Sequence, residues 1–142
     1  MNNWILLAEA TKFYQSKGYQ YTEVPWIVEP SVSQITFGGE AISCQLGDLV
    51  GSGEQGFLNG SYPDGNFMTV TPCFRHEFPI TDTHRNYFIK LELYSESMVD
   101  YKHMLCSAYD FFKLHTNNLE IVKTDDGHDI MCNGIEIGSY GR

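Results

Sequence analysis

The stretch from Met68 to Tyr94 constrains this chain more than any other. Met68 to Phe74 and Tyr87 to Tyr94 are rich in aromatic and β-branched residues, whereas Phe78 to Asn86 carries Pro, Thr, Asp and Asn. Two strands joined by a long polar loop, a hairpin, follow from that contrast. Side chains alternate along a strand, so Phe88, Lys90, Glu92 and Tyr94 share one face and Ile89, Leu91 and Leu93 the other. The apolar face is expected on a core and the mixed face open. Arg75 and Glu77, two residues apart, share a face on the incoming strand. If the two mixed faces coincide, an arginine, two carboxylates, a lysine and a ring lie together. A guanidinium fork takes phosphate, Phe88 can stack a base, and Glu77 can accept from an exocyclic amine. Charges pairing only with one another across the strands would give the same pattern.

Phe74-Arg75-His76-Glu77, a loop with His84 and Arg85, and then Phe88-Ile-Lys-Leu-Glu92 resemble motif 2 of the class II aminoacyl-tRNA synthetases. The resemblance implies that Arg75 holds the α-phosphate of ATP and the amino-acid carboxylate, that Glu77 touches the adenine and that Phe88 stacks on it. His84 and Arg85 would reach toward the outer phosphates or the acceptor end of a tRNA. Glu92 would belong with the amino-acid-binding residues.

The chain has 142 residues, 42% of them hydrophobic and 19% charged, which suits one globular soluble domain over 1–142. Its formal charge of -9 speaks against a general grip on nucleic acid, so any tRNA contact would be local. No run of about 18 apolar residues and no signal peptide are seen, and a cytoplasmic location is expected. Cys44, Cys73, Cys106 and Cys132 lack Cys-x-x-Cys spacing, so reduced core thiols are expected and a zinc site is not. No Gly-x-x-x-x-Gly-Lys phosphate loop occurs.

Trp4, Leu7, Ala8, Thr11 and Tyr14 recur at helical spacing, and Gly18 stands where a left-handed cap would end a helix over Trp4 to Lys17. A strand follows, ending at Pro25. Helix, Gly-Tyr and Val-Pro are similar to the family's motif 1, which implies a homodimer through residues 4–28. Gly38 to Gly65 reads as turns between short strands. Within it, Leu49 to Leu58 resembles the Thr-x-Glu type loop beneath a substrate ammonium, with Glu54 and Ser52 in that role. Ser95 is expected to cap a helix from Glu96 to about His115, packed on the hairpin's apolar face. Leu119 to Lys123 and His128 to Cys132 read as strands joined by a tight turn at Thr124 to Gly127.

The final segment, through Ile135-Glu136-Ile-Gly-Ser139 to Arg142, looks like the family's Glu-Ile-(Gly or Ser)-Ser strand. That resemblance puts Glu136 on the magnesium bridging the ATP phosphates, with Ser139 and Arg142 lining the amino-acid pocket. The family's third motif has no counterpart in these residues. The expected fold is α+β, a mostly antiparallel sheet carrying the hairpin and the terminal strand, flanked by helices. The resemblance implies ATP-dependent aminoacyl adenylate formation with ATP and magnesium, and tRNA as a further partner. A tRNA-independent ligase and a non-catalytic dimerisation or regulatory module are the alternatives.

Overall fold

The computed structural model describes residues 3–36, 39–97 and 100–141, in two compact units, Met1–Glu96 and Ser97–Arg142. The first unit opens with helix α1 (Trp4–Ser16), where Asn3 Oδ1 accepts the Leu6 N–H at 3.0 Å. Gly18, at φ +93°, ends it as expected. Ala10 and Tyr14 are the buried positions, while Trp4 and Ala8, expected on the buried stripe, are exposed.

The strand expected to run to Pro25 is cut short. Strand β1 (Gln20–Tyr21) pairs in parallel with the incoming hairpin strand, and β2 (Ile27–Val28) joins a different sheet. Pro25 has no N–H to continue a ladder, so the chain changes sheets there. Helix α2 (Pro30–Thr36), absent from the sequence reading, follows with proline in its first position. Strands β3 (Ile42–Cys44) and β4 (Gly47–Leu49) complete an antiparallel sheet ordered β2-β4-β3. Gly47 is required there, because its φ is +142° and a Cβ would lie 2.6 Å from Val28 O.

Asp48 ties this region together. Its two carboxylate oxygens accept from Ser33 Oγ and Ser43 Oγ, each at 2.6 Å, and Gln55 spans Ser33 O and the Gly51 N–H. The two hydroxyl donors hold the Asp48 carboxyl below its ordinary value, with burial opposing them. A carboxyl depressed in the folded state contributes stability above its unfolded value of about 3.9, and that contribution is lost as pH falls through the folded value. Between pH 7 and pH 3, wild-type protein is therefore expected to lose more stability in urea titrations than Asp48→Asn. Equal losses would show that the two serines do not favour the ionised form.

The hairpin forms as expected, from β5 (Asn66–Phe74) and β6 (Tyr87–Ser95) in a sheet ordered β1-β5-β6. Cys73 faces Phe88, Thr71 faces Lys90 and Thr69 faces Glu92. The mixed face is not open on β5 as expected, although Met68 on the other face is fully buried too, and β6 is half-exposed on both faces. Phe67, Thr69, Thr71 and Cys73, which share the mixed face, are all buried, whereas Ile89, Leu91 and Leu93 are half-exposed. Helix α3 (Gly53–Leu58), where turns were expected, is the cause. Gly53 lets its backbone settle on the sheet, since a Cβ would stand 2.9 Å from Thr71 Oγ1 and 3.1 Å from Glu92 Cβ. Phe57, fully buried, stacks on Tyr94 with ring centroids 4.5 Å apart and packs with Val24, Phe67 and Tyr62. Burying such a ring contributes about 1.5–3 kcal/mol.

The second unit holds helix α4 (Tyr101–Lys113) and an antiparallel sheet of β7 (Leu119–Lys123), β8 (Gly127–Cys132) and β9 (Ile135–Gly141). Ser95 is not the helix cap, because it ends β6 opposite Asn66; Asp100 stands at the helix start instead. Val99, within the helix expected from Glu96, lies outside the described residues. Ser107, Ala108 and Phe111 are buried, and α4 packs along β7, the partner this unit supplies. The turn at Thr124 closes as expected, Thr124 N–H donating to Gly127 O at 2.9 Å. Asn133 and Gly134, at φ +50° and +79°, form the second turn. The terminal strand and the hairpin belong to separate sheets, not to the single sheet expected.

The cysteines are unpaired, but Cys44 and Cys106 are exposed, not core residues, while Cys73 is buried. Among the described residues no helix is long and apolar enough to cross a membrane.

Candidate active site

The hairpin turns Arg75 back over its partner strand. Its backbone N–H donates to Asn86 O at 2.8 Å, which closes the ladder just before the loop, and Nε donates to Gly51 O at 3.1 Å. The guanidinium carbon lies 5.1 Å from the centroid of the Phe88 ring, within the reach of a cation–π contact. Arg75 and Phe88 thus share one side of the sheet, both half-buried, so each keeps surface for a ligand. Glu77 follows on the same parity, its N–H held by Asn86 Oδ1 at 3.0 Å. Asn86 fixes both ends of the loop, a role the sequence reading did not assign.

Next along the same face is a cluster of charges. Glu92 Oε2 accepts from Ser52 Oγ at 2.9 Å and pairs with Lys90 Nζ at 3.2 Å. Ser52 is also the N-cap of α3, accepting the Glu54 N–H at 3.3 Å. Ser52 thus links Glu92 on the sheet to the first turn of α3, where Glu54 stands. Surrounding protein atoms raise the Glu54 carboxyl above its ordinary value; the Glu92 carboxylate adds to this and Lys90 partly offsets it. Such a group is relieved by a nearby cation. Lys90 belongs to the cluster, on the mixed face where the alternation places it, although no role in binding was assigned to it.

His84 and Arg85 stand in the exposed loop, apart from these contacts. The His84 backbone N–H donates to Thr81 Oγ1 at 2.9 Å and its Nδ1 lies at the same distance from that oxygen. Glu136 and Ser139 are exposed on β9 in the second unit. Arg142 lies outside the described residues. Among the described residues no three His, Cys, Asp or Glu side chains gather as a metal cluster.

No family model and no curated protein matches the chain. Two solved structures of pyrrolysyl-tRNA synthetase from Desulfitobacterium hafniense are similar to it, with TM-scores of 0.70 and 0.69 at 15% and 16% identity. Each alignment covers 92% of this chain but 53% and 55% of the synthetase chains, so the chain spans about half their length. Agreement of backbone at so low an identity establishes architecture. Helices and antiparallel sheets in this arrangement give the chain a class II aminoacyl-tRNA synthetase-like fold.

Proposed function

We propose that the chain acts as a class II synthetase-like core that binds ATP and an amino acid and joins them as an aminoacyl adenylate. The observation that carries this reading is the Arg75 guanidinium lying over Phe88, beside a cluster that includes Glu54, whose carboxyl is raised above its ordinary value. Phe88 would stack the adenine, with Glu77 at its edge. Arg75 would hold the α-phosphate and the amino-acid carboxylate, and Glu54 the ammonium, with Ser52 and Glu92 beside it. A carboxylate oxygen then attacks the α-phosphorus, the new O–P bond forms, and the bond to the β-phosphate oxygen breaks to release pyrophosphate. Two anions must approach, so Arg75 accelerates the step by neutralising charge as it develops and by alignment. No protein nucleophile is required.

Magnesium held mainly by nucleotide phosphates and water needs few protein carboxylates. When bound, the ion neutralises phosphate charge. His84 and Arg85 keep the roles of phosphate or tRNA contacts in this reading, with tRNA held locally because the chain carries a charge of -9. Unpaired thiols suit the cytoplasm, where ATP is available.

The test is ATP–pyrophosphate exchange across a panel of amino acids. Exchange that depends on one amino acid is expected. Silence across the panel at high protein concentration would favour a binding module without catalysis.

The reading includes a homodimer through residues 4–28. Trp4 is 62% exposed and Trp26 55%, with Ile5 and Tyr21 also exposed. Such aromatic surface suits an interface. Light scattering should give twice the chain mass for the wild type and the chain mass for Trp4→Glu; a wild-type monomer at high concentration would remove the dimer.

A further inference from the structure

Glu92 is a carboxylate whose side chain is only 14% exposed. Groups so covered are normally satisfied by donors. Both donors supplied by the protein, Ser52 Oγ and Lys90 Nζ, reach the same oxygen, Oε2. Among the described residues nothing donates to Oε1. The neighbouring Glu54 carboxyl likewise accepts no hydrogen bond and forms no ion pair among them, although Glu92 and Lys90 act on it through space. Two acceptors that the protein leaves to water, Glu92 Oε1 and the exposed Glu54 carboxyl at the start of α3, therefore stand near the Arg75 and Phe88 shelf.

Counting charge separates their roles. Lys90 already balances Glu92, which leaves Glu54 for an ammonium and Arg75 for a carboxylate or phosphate. A second cation at Glu92 would meet the Lys90 ammonium. An apolar side chain would strip water from Oε1 and give nothing back. From this we infer that the amino acid taken by the site carries an uncharged hydrogen-bond donor on its side chain, an amide, a hydroxyl or a ring N–H, and that Glu92 Oε1 selects it. The inference rests on the amino-acid activation proposed above and adds the class of substrate.

A site that hydrogen-bonds a substrate group rejects the shape-matched analogue lacking it far more strongly than it rejects a missing methylene. The panel should therefore contain matched pairs, glutamine with methionine, threonine with valine, tyrosine with phenylalanine and asparagine with leucine, together with lysine and arginine. Exchange and the rise in melting temperature on adding each amino acid without ATP are both read. The best substrate should be an uncharged donor, favoured over its match by at least about a hundredfold in kcat/KM. In Glu92→Met the preference should fall below about tenfold, whereas Glu92→Gln, which keeps an acceptor oxygen, should retain most of it.

An apolar, lysine or arginine substrate, or an unchanged preference in Glu92→Met, overturns the inference and leaves adenylation standing. If exchange is silent but an uncharged donor alone raises the melting temperature, the inference holds and adenylation fails. If no amino acid moves either readout, both fail. Should Glu92→Met not fold, the wild-type panel and Glu92→Gln still decide.

Discussion

Arg75→Ala should reduce ATP–pyrophosphate exchange by about 10²–10³-fold in kcat/KM, the loss seen when one preorganised group facing developing charge is removed. The reason is positional. Arg75 is held by its backbone bond to Asn86 O, by Nε on Gly51 O and by the Phe88 ring, so its guanidinium meets the ligand in one orientation. Arg75→Lys should lie close to the alanine variant, since lysine keeps the charge but neither the planar fork nor the stacking surface. Phe88→Leu should act differently, raising KM for ATP more than it lowers kcat, because stacking holds the nucleotide equally before and during the reaction. Circular dichroism must show all three variants folded. Arg75 does support the Gly51 carbonyl, but losing one part-buried hydrogen bond costs about 1 kcal/mol, too little to unfold the chain. Exchange by Arg75→Ala within tenfold of wild type would remove Arg75 from the reaction and the adenylation reading with it.

Legibility in the sequence followed the range of the interactions involved. The hairpin, Gly18 and the Thr124 turn depend on neighbours within a few residues, and each appeared where expected. The coincidence of Arg75 with Phe88 needed only strand parity and antiparallel pairing. Helices α2 and α3 were missed because fewer than two turns leave little periodicity, and two glycines in α3 argue for turns. A signal was nevertheless present: Ser52-Gly-Glu-Gln55 has the form of a capping box, and Gln55 Oε1 does reach back to a backbone N–H, that of Gly51, at 2.7 Å. Which hairpin face lies beneath α3 was not legible, since it is decided by Phe57 meeting Tyr94 and by Gly53 fitting on Thr69 and Thr71. The union of Ser52 with Glu92 was implied by their shared role, but its geometry spans forty residues and no local pattern encodes it.

The largest expected loss of stability lies at Phe57, the ring that anchors α3 on the sheet. Phe57→Ala should destabilise the first unit by about 3–5 kcal/mol, since it removes a fully buried ring and leaves a cavity. The rings around it do not readily fill the gap. Tyr62 meets Phe57 edge-on at 5.2 Å, Tyr94 lies flat against it, and Tyr94 is itself fixed by its hydroxyl donating to Glu96 at 2.6 Å. The melting temperature should fall by on the order of 10 °C or more. Phe57→Leu should cost less than half as much, because leucine retains most of the apolar volume. Since α3 carries Ser52 and Glu54, folded Phe57→Ala protein should also show a raised KM for the amino acid with the KM for ATP nearly unchanged, the Phe88 shelf lying outside this cluster. A loss under 1 kcal/mol in urea unfolding would mean that α3 is not anchored by this ring, and the placement of Glu54 over the sheet would then lack its support.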